Sequence, residues 1–215
     1  MAKSSNFKGR AGRHEAGRAL SELLRVSAQE EGLKPDRHGF VPISHVLAVL
    51  RTRFEELTID HIVEIVQKDA QQRFDLVGDL IRAKAGHRFE VEPIGDPVSP
   101  PEELYHGTCR EAADRIREEG ILKMGKAFVH LASTVQRARR IGVRKTKEPV
   151  ILIIAASRAS RAGVRFWQSG QVSPDGAIYL SDEVPAAYVS ELRDSSDNGG
   201  APDSPRGPRL GGAPI

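Results

Sequence analysis

The sequence of 215 residues holds a single cysteine, Cys109. That excludes an intramolecular disulfide and any cysteine-rich zinc cage. Long apolar runs are also missing. The longest, Val150 to Ala156, is strand-sized, far short of the about eighteen residues a membrane helix needs. Met1 to Arg18 is basic and polar with no apolar core, so no secretory leader is expected and a cytoplasmic location is. No Walker-type loop, Gly-x-Gly-x-x-Gly fingerprint or nucleophile elbow occurs. His14, His38, His45, His61 and His87 lack the paired spacing of a zinc helix, and there is no Asp-rich calcium loop. No metal is expected. An enzyme built this way takes its electrophile from the substrate or a soluble cofactor.

What is present suits a soluble globular chain: 39% hydrophobic and 28% charged residues, enough for one large domain or two lobes. The net charge of +3 is too small to prove a nucleic-acid partner. Most of the basic residues are arginines, which grip phosphate in a two-pronged geometry that lysine lacks. A GC-rich genome produces the same bias, so position must decide.

Along the chain, residues 1–14 read as a flexible basic arm. From Glu15 the spacing is helical, with Leu20, Leu23, Leu24 and Ser27 or Ala28 on one face, ending at Gly32 and Pro35. Ile43 to Leu50 forms a second helix, and Thr58 or Asp60 caps a third that carries Ile62, Val63 and Val66. Arg73–Val77 and Leu80–Ala83 flank the turn signal Gly78-Asp79 as a hairpin. Three helices and a hairpin predict a winged-helix-like lobe over 15–92. Prolines and a glycine in Glu92–Pro101 mark a linker. Beyond it strands and helices alternate over 102–192: strands at Leu104–Gly107, Phe128–Ala132, Val150–Ala156, Val164–Gln168 and Ala177–Leu180, helices at Arg110–Glu119 and Thr134–Arg140. Residues 193–215 read as a disordered tail. The fold class is α+β.

Two strings stand out chemically. Leu104-Tyr105-His106-Gly107-Thr108 runs a strand into a glycine where backbone can approach a ligand, with His106 and Thr108 beside it. Phe128-Val129-His130-Leu131 sets His130 among apolar neighbours, where an unpaired imidazole is costly. Either histidine could equally be a core residue bonded to backbone. Cys109 reads as a space filler. Arg25, Arg73, Arg82 and Arg144 punctuate hydrophobic segments and suggest a converging polyanion site. Arginine is no general base at neutral pH, so its role would be to bind phosphate and stabilise developing charge.

In order, Leu23-Leu24-Arg25, Gly39-Phe40-Val41-Pro42, Gln72-Arg73-Phe74, Ile81-Arg82-Ala83 with Gly86-His87, Leu104-Tyr105-His106-Gly107-Thr108, Val129-His130-Leu131, Gly142-Val143-Arg144 and Phe166-Trp167 resemble the NAD-dependent RNA (tRNA) 2′-phosphotransferases, from about residue 15 to 192. The resemblance implies an N-terminal winged-helix-like RNA lobe and a C-terminal ADP-ribosyltransferase-like lobe that binds NAD as co-substrate. It implies that an internal RNA 2′-phosphate attacks the nicotinamide ribose, giving a 2′-phospho-ADP-ribosylated RNA. Transesterification would then yield RNA 2′-OH, ADP-ribose 1″,2″-cyclic phosphate and nicotinamide.

Carried over by position, the resemblance implies catalytic roles for Arg25, Arg73 and Arg144. It implies NAD binding by His106, Gly107, Thr108, His130 and Ile178, and RNA contact by Arg82 and His87. The implied partners are RNA bearing an internal 2′-phosphate and NAD, with no membrane, and a monomer is expected. The sequence departs from the family pattern at Val26, where histidine is usual, and at Gln71, where lysine is usual. Arg88 stands in place of a serine and Ala132 in place of another; Lys68 or Lys84 would have to supply the missing charge. The competing expectations are an ADP-ribosyltransferase acting on nucleic-acid phosphate ends and a non-catalytic RNA-binding module.

Overall fold

The computed structural model describes residues 10–192, which form a mixed α/β protein with two antiparallel sheets and six α-helices among the described residues. The first part of the chain runs α1 (Arg10–Glu22), a π-helical turn (Leu23–Ser27), β1 (Val41–Pro42), α2 (Ile43–Arg51), α3 (Ile59–Gln67), β2 (Phe74–Val77) and β3 (Leu80–Ala83). Its three strands lie in the order β1-β3-β2. Thr58 caps α3 reciprocally: its Oγ1 accepts from the His61 amide, and its own amide donates to His61 Nδ1. The apolar stripes of α1, α2 and α3 close over β2 and β3 around Leu20, Leu24, Phe54, Leu57, Ile62 and Ile81, each under 2% exposed.

After a coil across the proline-rich segment come β4 (Leu104–Thr108), α4 (Arg110–Glu119), β5 (Val129–Ala132), α5 (Val135–Gly142), β6 (Val150–Ile154), α6 (Ala156–Arg161), β7 (Phe166–Ser173), β8 (Gly176–Ser181) and β9 (Val189–Glu191). The sheet order is β7-β8-β5-β4-β6-β9. The uninterrupted apolar run of β6 has a simple cause. Val150 and Leu152 pack with Ala113 of α4, while Ile151 packs on the opposite face with Ala138 of α5. Both faces of the strand are covered.

The two sheets are joined by a third apolar cluster. Ala85 and Val91, following β3, pack on Phe128, just before β5, and on Trp167 and Leu180 of the larger sheet. Lys84 Nζ donates to the Gly170 carbonyl at 3.0 Å and the Ala127 amide to that of His87 at 3.2 Å. This junction fixes the walls of the cleft described below.

Several elements differ from the sequence reading. The first helix starts at Arg10 instead of Glu15, because residues 10–14 continue it toward the N-terminus; the rest of the basic arm and the tail from 193 lie outside the described residues. β1, α6 and β9 are too short to leave a periodic signal. β7 extends to Ser173 through a bulge between Gln168 and Val172, at a glycine that reads locally as a stop. No described helix is long and apolar enough to cross a membrane.

Candidate active site

A cleft of about 880 Å³ opens between the two sheets. Arg25, Arg73 and Arg144 all line it, although three unconnected segments carry them. Arg25 arrives on the π-helical turn, which buries Leu23 and Leu24 and gives the helix a wider turn there. The Arg25 carbonyl accepts from the Arg88 amide at 2.8 Å, and its side chain lies over Gly86. A Cβ at Gly86 would meet Arg25 Cδ at 3.4 Å, and φ of +94° is a conformation that favours glycine.

Arg73 is held by Asp69, whose carboxylate accepts from the Arg73 amide at 2.7 Å and from Nε at 3.0 Å. The intervening Gln72 sits at φ +47°, a strained turn that Asp69 fastens. Arg144 follows α5 and makes no ion pair with a described residue. Burial first, then the charges of Arg73 and Arg144, push Arg25 down to about 10. It remains a cation at neutral pH, and three guanidinium groups that repel one another want an anion between them.

The cleft meets a second pocket of about 260 Å³ at His130 and Lys126, which line both. His106 and Thr108 of β4, Arg115 and Glu119 of α4, and Lys123 and Lys145 add to its polar lining. His106 Nδ1–H donates to the His130 carbonyl at 3.2 Å, which leaves Nε2 as an acceptor. Both ring nitrogens of His130 and the Thr108 hydroxyl are buried without a hydrogen bond. Buried groups of this kind normally find a partner, so the pocket is built for one. Burial pushes His106 down to about 4. Burial, then Lys126 and Arg25, push His130 down to about 3.

The other expected site residues fall at three different places. Ile178 is buried on β8 and lines the large cleft. Gly107 faces away from the pocket: a Cβ there would lie 2.0 Å from the Ala138 carbonyl oxygen, so close packing of α5 on β4 requires the glycine. Any ligand contact it makes is through its main chain. Arg82 is 7% exposed; it pairs with Asp75 at 2.7 Å and covers the Phe40 ring. His87 is 4% exposed and packs on Phe89 and Gly39. Neither lines the large cleft, and their observed place is in the packing around the junction. Cys109 caps no amide of α4 and is partly buried, as a filler would be.

Of the candidate substitutes for a lysine at Gln71, Lys84 is held by Asp75 and the Gly170 carbonyl, away from the cleft. Lys68 lines the cleft, paired with Glu64 at 2.5 Å. The cations that the sequence reading missed are Arg13, Arg18, Arg88, Lys126 and Arg137, all on the cleft wall. Arg88 carried a faint signal as a departure from the family string, and Asp69 an i,i+4 spacing to Arg73. Lys126 carried none.

The histidines make stability depend on acid. Burial, then Arg82 and Arg25, push His87 to about 4, so His87, His106 and His130 are all neutral in the fold. Unfolded, each titrates near 6.5. Below that pH the unfolded chain takes up protons that the folded chain refuses, so stability is full above pH 6.5 and is lost as pH falls toward 4 and 3. Urea unfolding at pH 7.5 and 5.0 should differ by on the order of 6 kcal/mol, about 2 kcal/mol from each of the three rings. Equal midpoints would mean that these rings are solvated.

Comparison with known proteins matches residues 12–173 to the family described as RNA 2′-phosphotransferase, Tpt1/KptA family. A probable RNA 2′-phosphotransferase from Rhizobium rhizogenes is 32% identical over 178 residues, 83% of this chain and 93% of that protein. One from Pyrococcus furiosus is 32% identical over 182 residues, covering 85% and 97%. One from Nostoc punctiforme is 34% identical over 175 residues, covering 80% and 93%.

Proposed function

This chain belongs to the RNA 2′-phosphotransferase family, and from that premise we propose that it removes an internal 2′-phosphate from RNA by passing it to NAD. The products are RNA with a 2′-OH, ADP-ribose 1″,2″-cyclic phosphate and nicotinamide. The observation that carries the reading is the convergence of Arg25, Arg73 and Arg144 on one cleft that opens, at His130, into a pocket with unpartnered polar groups. In this reading the N-terminal lobe is winged-helix-like and binds RNA, and the C-terminal lobe is ADP-ribosyltransferase-like and binds NAD.

The residues fit a nicotinamide dinucleotide. Thr108, His106 and His130 offer hydrogen bonds to an amide and ribose hydroxyls, while Lys126 and Lys145 offer charge to a pyrophosphate. NAD is a substrate that supplies an electrophilic ribose carbon and a leaving group. This chain's own residues do the positioning. Arg25, Arg73 and Arg144 hold the 2′-phosphate oxygens against their mutual repulsion, and the same three cations stabilise the charge that builds on phosphorus during transfer. Asp69 keeps Arg73 aimed. The neutral imidazoles orient without adding charge.

The test is an RNA carrying one internal radiolabelled 2′-phosphate, incubated with and without NAD. Label should move to ADP-ribose cyclic phosphate only when NAD is present. Label held on ADP-ribosylated RNA would mean that transfer begins and does not finish, a result that Val26 and Gln71, both on the cleft wall, would explain. No NAD-dependent change would leave a binding module.

A further inference from the structure

Arg137 of α5 is a buried arginine that the reaction above does not use. Its side chain is 4% exposed, yet it lines the large cleft. Its Nη1 donates to Asp175 Oδ1 at 3.1 Å, and Arg140 donates to the other oxygen of the same carboxylate at 3.0 Å. Burial would push the Asp175 carboxyl up, but the bond from Ser173 and the charges of Arg137 and Arg140 outweigh it and hold it below the usual range. The carboxylate, shared between two arginines on the turn between β7 and β8, is thus a fixed anchor. It orients Arg137 without satisfying it, because Nε is buried and has no hydrogen-bond partner.

A buried guanidinium with one N–H unpaired, on a residue that lines a polar cleft, suits an anionic ligand. Arg137, Arg140 and Arg144 fall on one face of α5 and its continuation, and after burial the largest influence on Arg144 is the charge of Arg137, ahead of Arg73. Two cations so placed suit two anions on one chain. We propose that Arg137, anchored by Asp175, forms a second anion subsite in the cleft that takes the RNA phosphodiester next to the 2′-phosphate. The inference rests on the reading of the cleft as an RNA 2′-phosphate site. It gives that site a means to prefer an internal 2′-phosphate, which has a phosphodiester beside it, over one at a 3′ end, which has none on that side.

The test compares, without NAD, the dissociation constants of three fluorescently labelled short RNAs: one with an internal 2′-phosphate, one with a 3′-terminal 2′-phosphate, and one with neither. The wild-type protein should bind the first about tenfold more tightly than the second, the worth of one charge-assisted hydrogen-bonding contact. In Arg137→Met that ratio should fall toward one. Arg137→Lys keeps a cation for Asp175 but has no Nε, and serves where the methionine variant does not fold; it too should lose most of the ratio.

A wild-type ratio near one, or a ratio that survives in either folded variant, overturns the subsite. Equal weakening of both phosphorylated RNAs also overturns it, since Arg137 would then only support Arg144. If the 2′-phosphate adds nothing to wild-type affinity over plain RNA, the reading of the cleft itself fails, a result distinct from the others.

Discussion

Arg25→Ala should lower 2′-phosphate transfer by about three orders of magnitude while leaving the protein at least as stable as before. The two halves of this result share one cause. Arg25 is held in a largely buried place against the charges of Arg73 and Arg144, and its Nε has no hydrogen bond. The folded chain therefore bears a cost for that guanidinium, on the order of 1 kcal/mol or more from a depression to about 10. An anion entering the cleft turns the same repulsion into attraction, and the attraction grows as charge gathers on phosphorus.

Arg25→Lys should recover little, since an ammonium is one point charge and cannot reproduce a planar two-pronged grip. Single-turnover rates at saturating RNA, set beside urea midpoints, measure both halves. A rate within tenfold of wild type would remove Arg25 from the site. A large loss of stability would mean that its main role is in the fold.

Gly107→Ala should be the most damaging small substitution. The added methyl would lie 2.0 Å from the Ala138 carbonyl oxygen, 2.8 Å from its carbon and 3.1 Å from the Gly142 nitrogen. All three are backbone atoms, so no rotamer change relieves the contact. Gly142 is similarly confined, with its own missing Cβ 2.5 Å from Pro149. Strand β4 and helix α5 cross where neither has a side chain.

The helix would have to move outward and take Arg137, Arg140 and Arg144 with it. We expect a destabilisation of about 3 kcal/mol or more, at the upper end for overpacking, together with loss of transfer. Urea unfolding of the variant measures it. A change below about 0.5 kcal/mol would mean that α5 is not seated on β4 as described.

Much of this protein is legible in its residues. The hairpin at Gly78-Asp79, the cap at Thr58, the coil across the prolines and the strands at Leu104, Val129 and Val150 follow from local chemistry, because turns, caps and alternation are set by neighbours in the chain. The π-helical turn at Leu23–Ser27 is not legible, since one wide turn leaves the apolar spacing almost unchanged. Gly107 is legible as a glycine that something approaches; that helix α5 is what packs against its Cα is decided by the tertiary structure.

The arginines divide the same way. By itself the sequence determined which strings occur in which order, and that order resembles one family, because residue types and their succession are carried by the chain directly. Only the tertiary structure decided what each arginine does. Arg82 punctuates a hydrophobic segment as Arg25 does, yet it closes on Asp75 across its hairpin, while Arg25 is left facing a cleft. Arg137 carries no local signal, and its place is set only when α5 docks beside the turn that carries Asp175, thirty-eight residues on. The reason is physical: whether a cation is neutralised or left open depends on which distant carboxylate the fold brings to it, and no local pattern holds that distance.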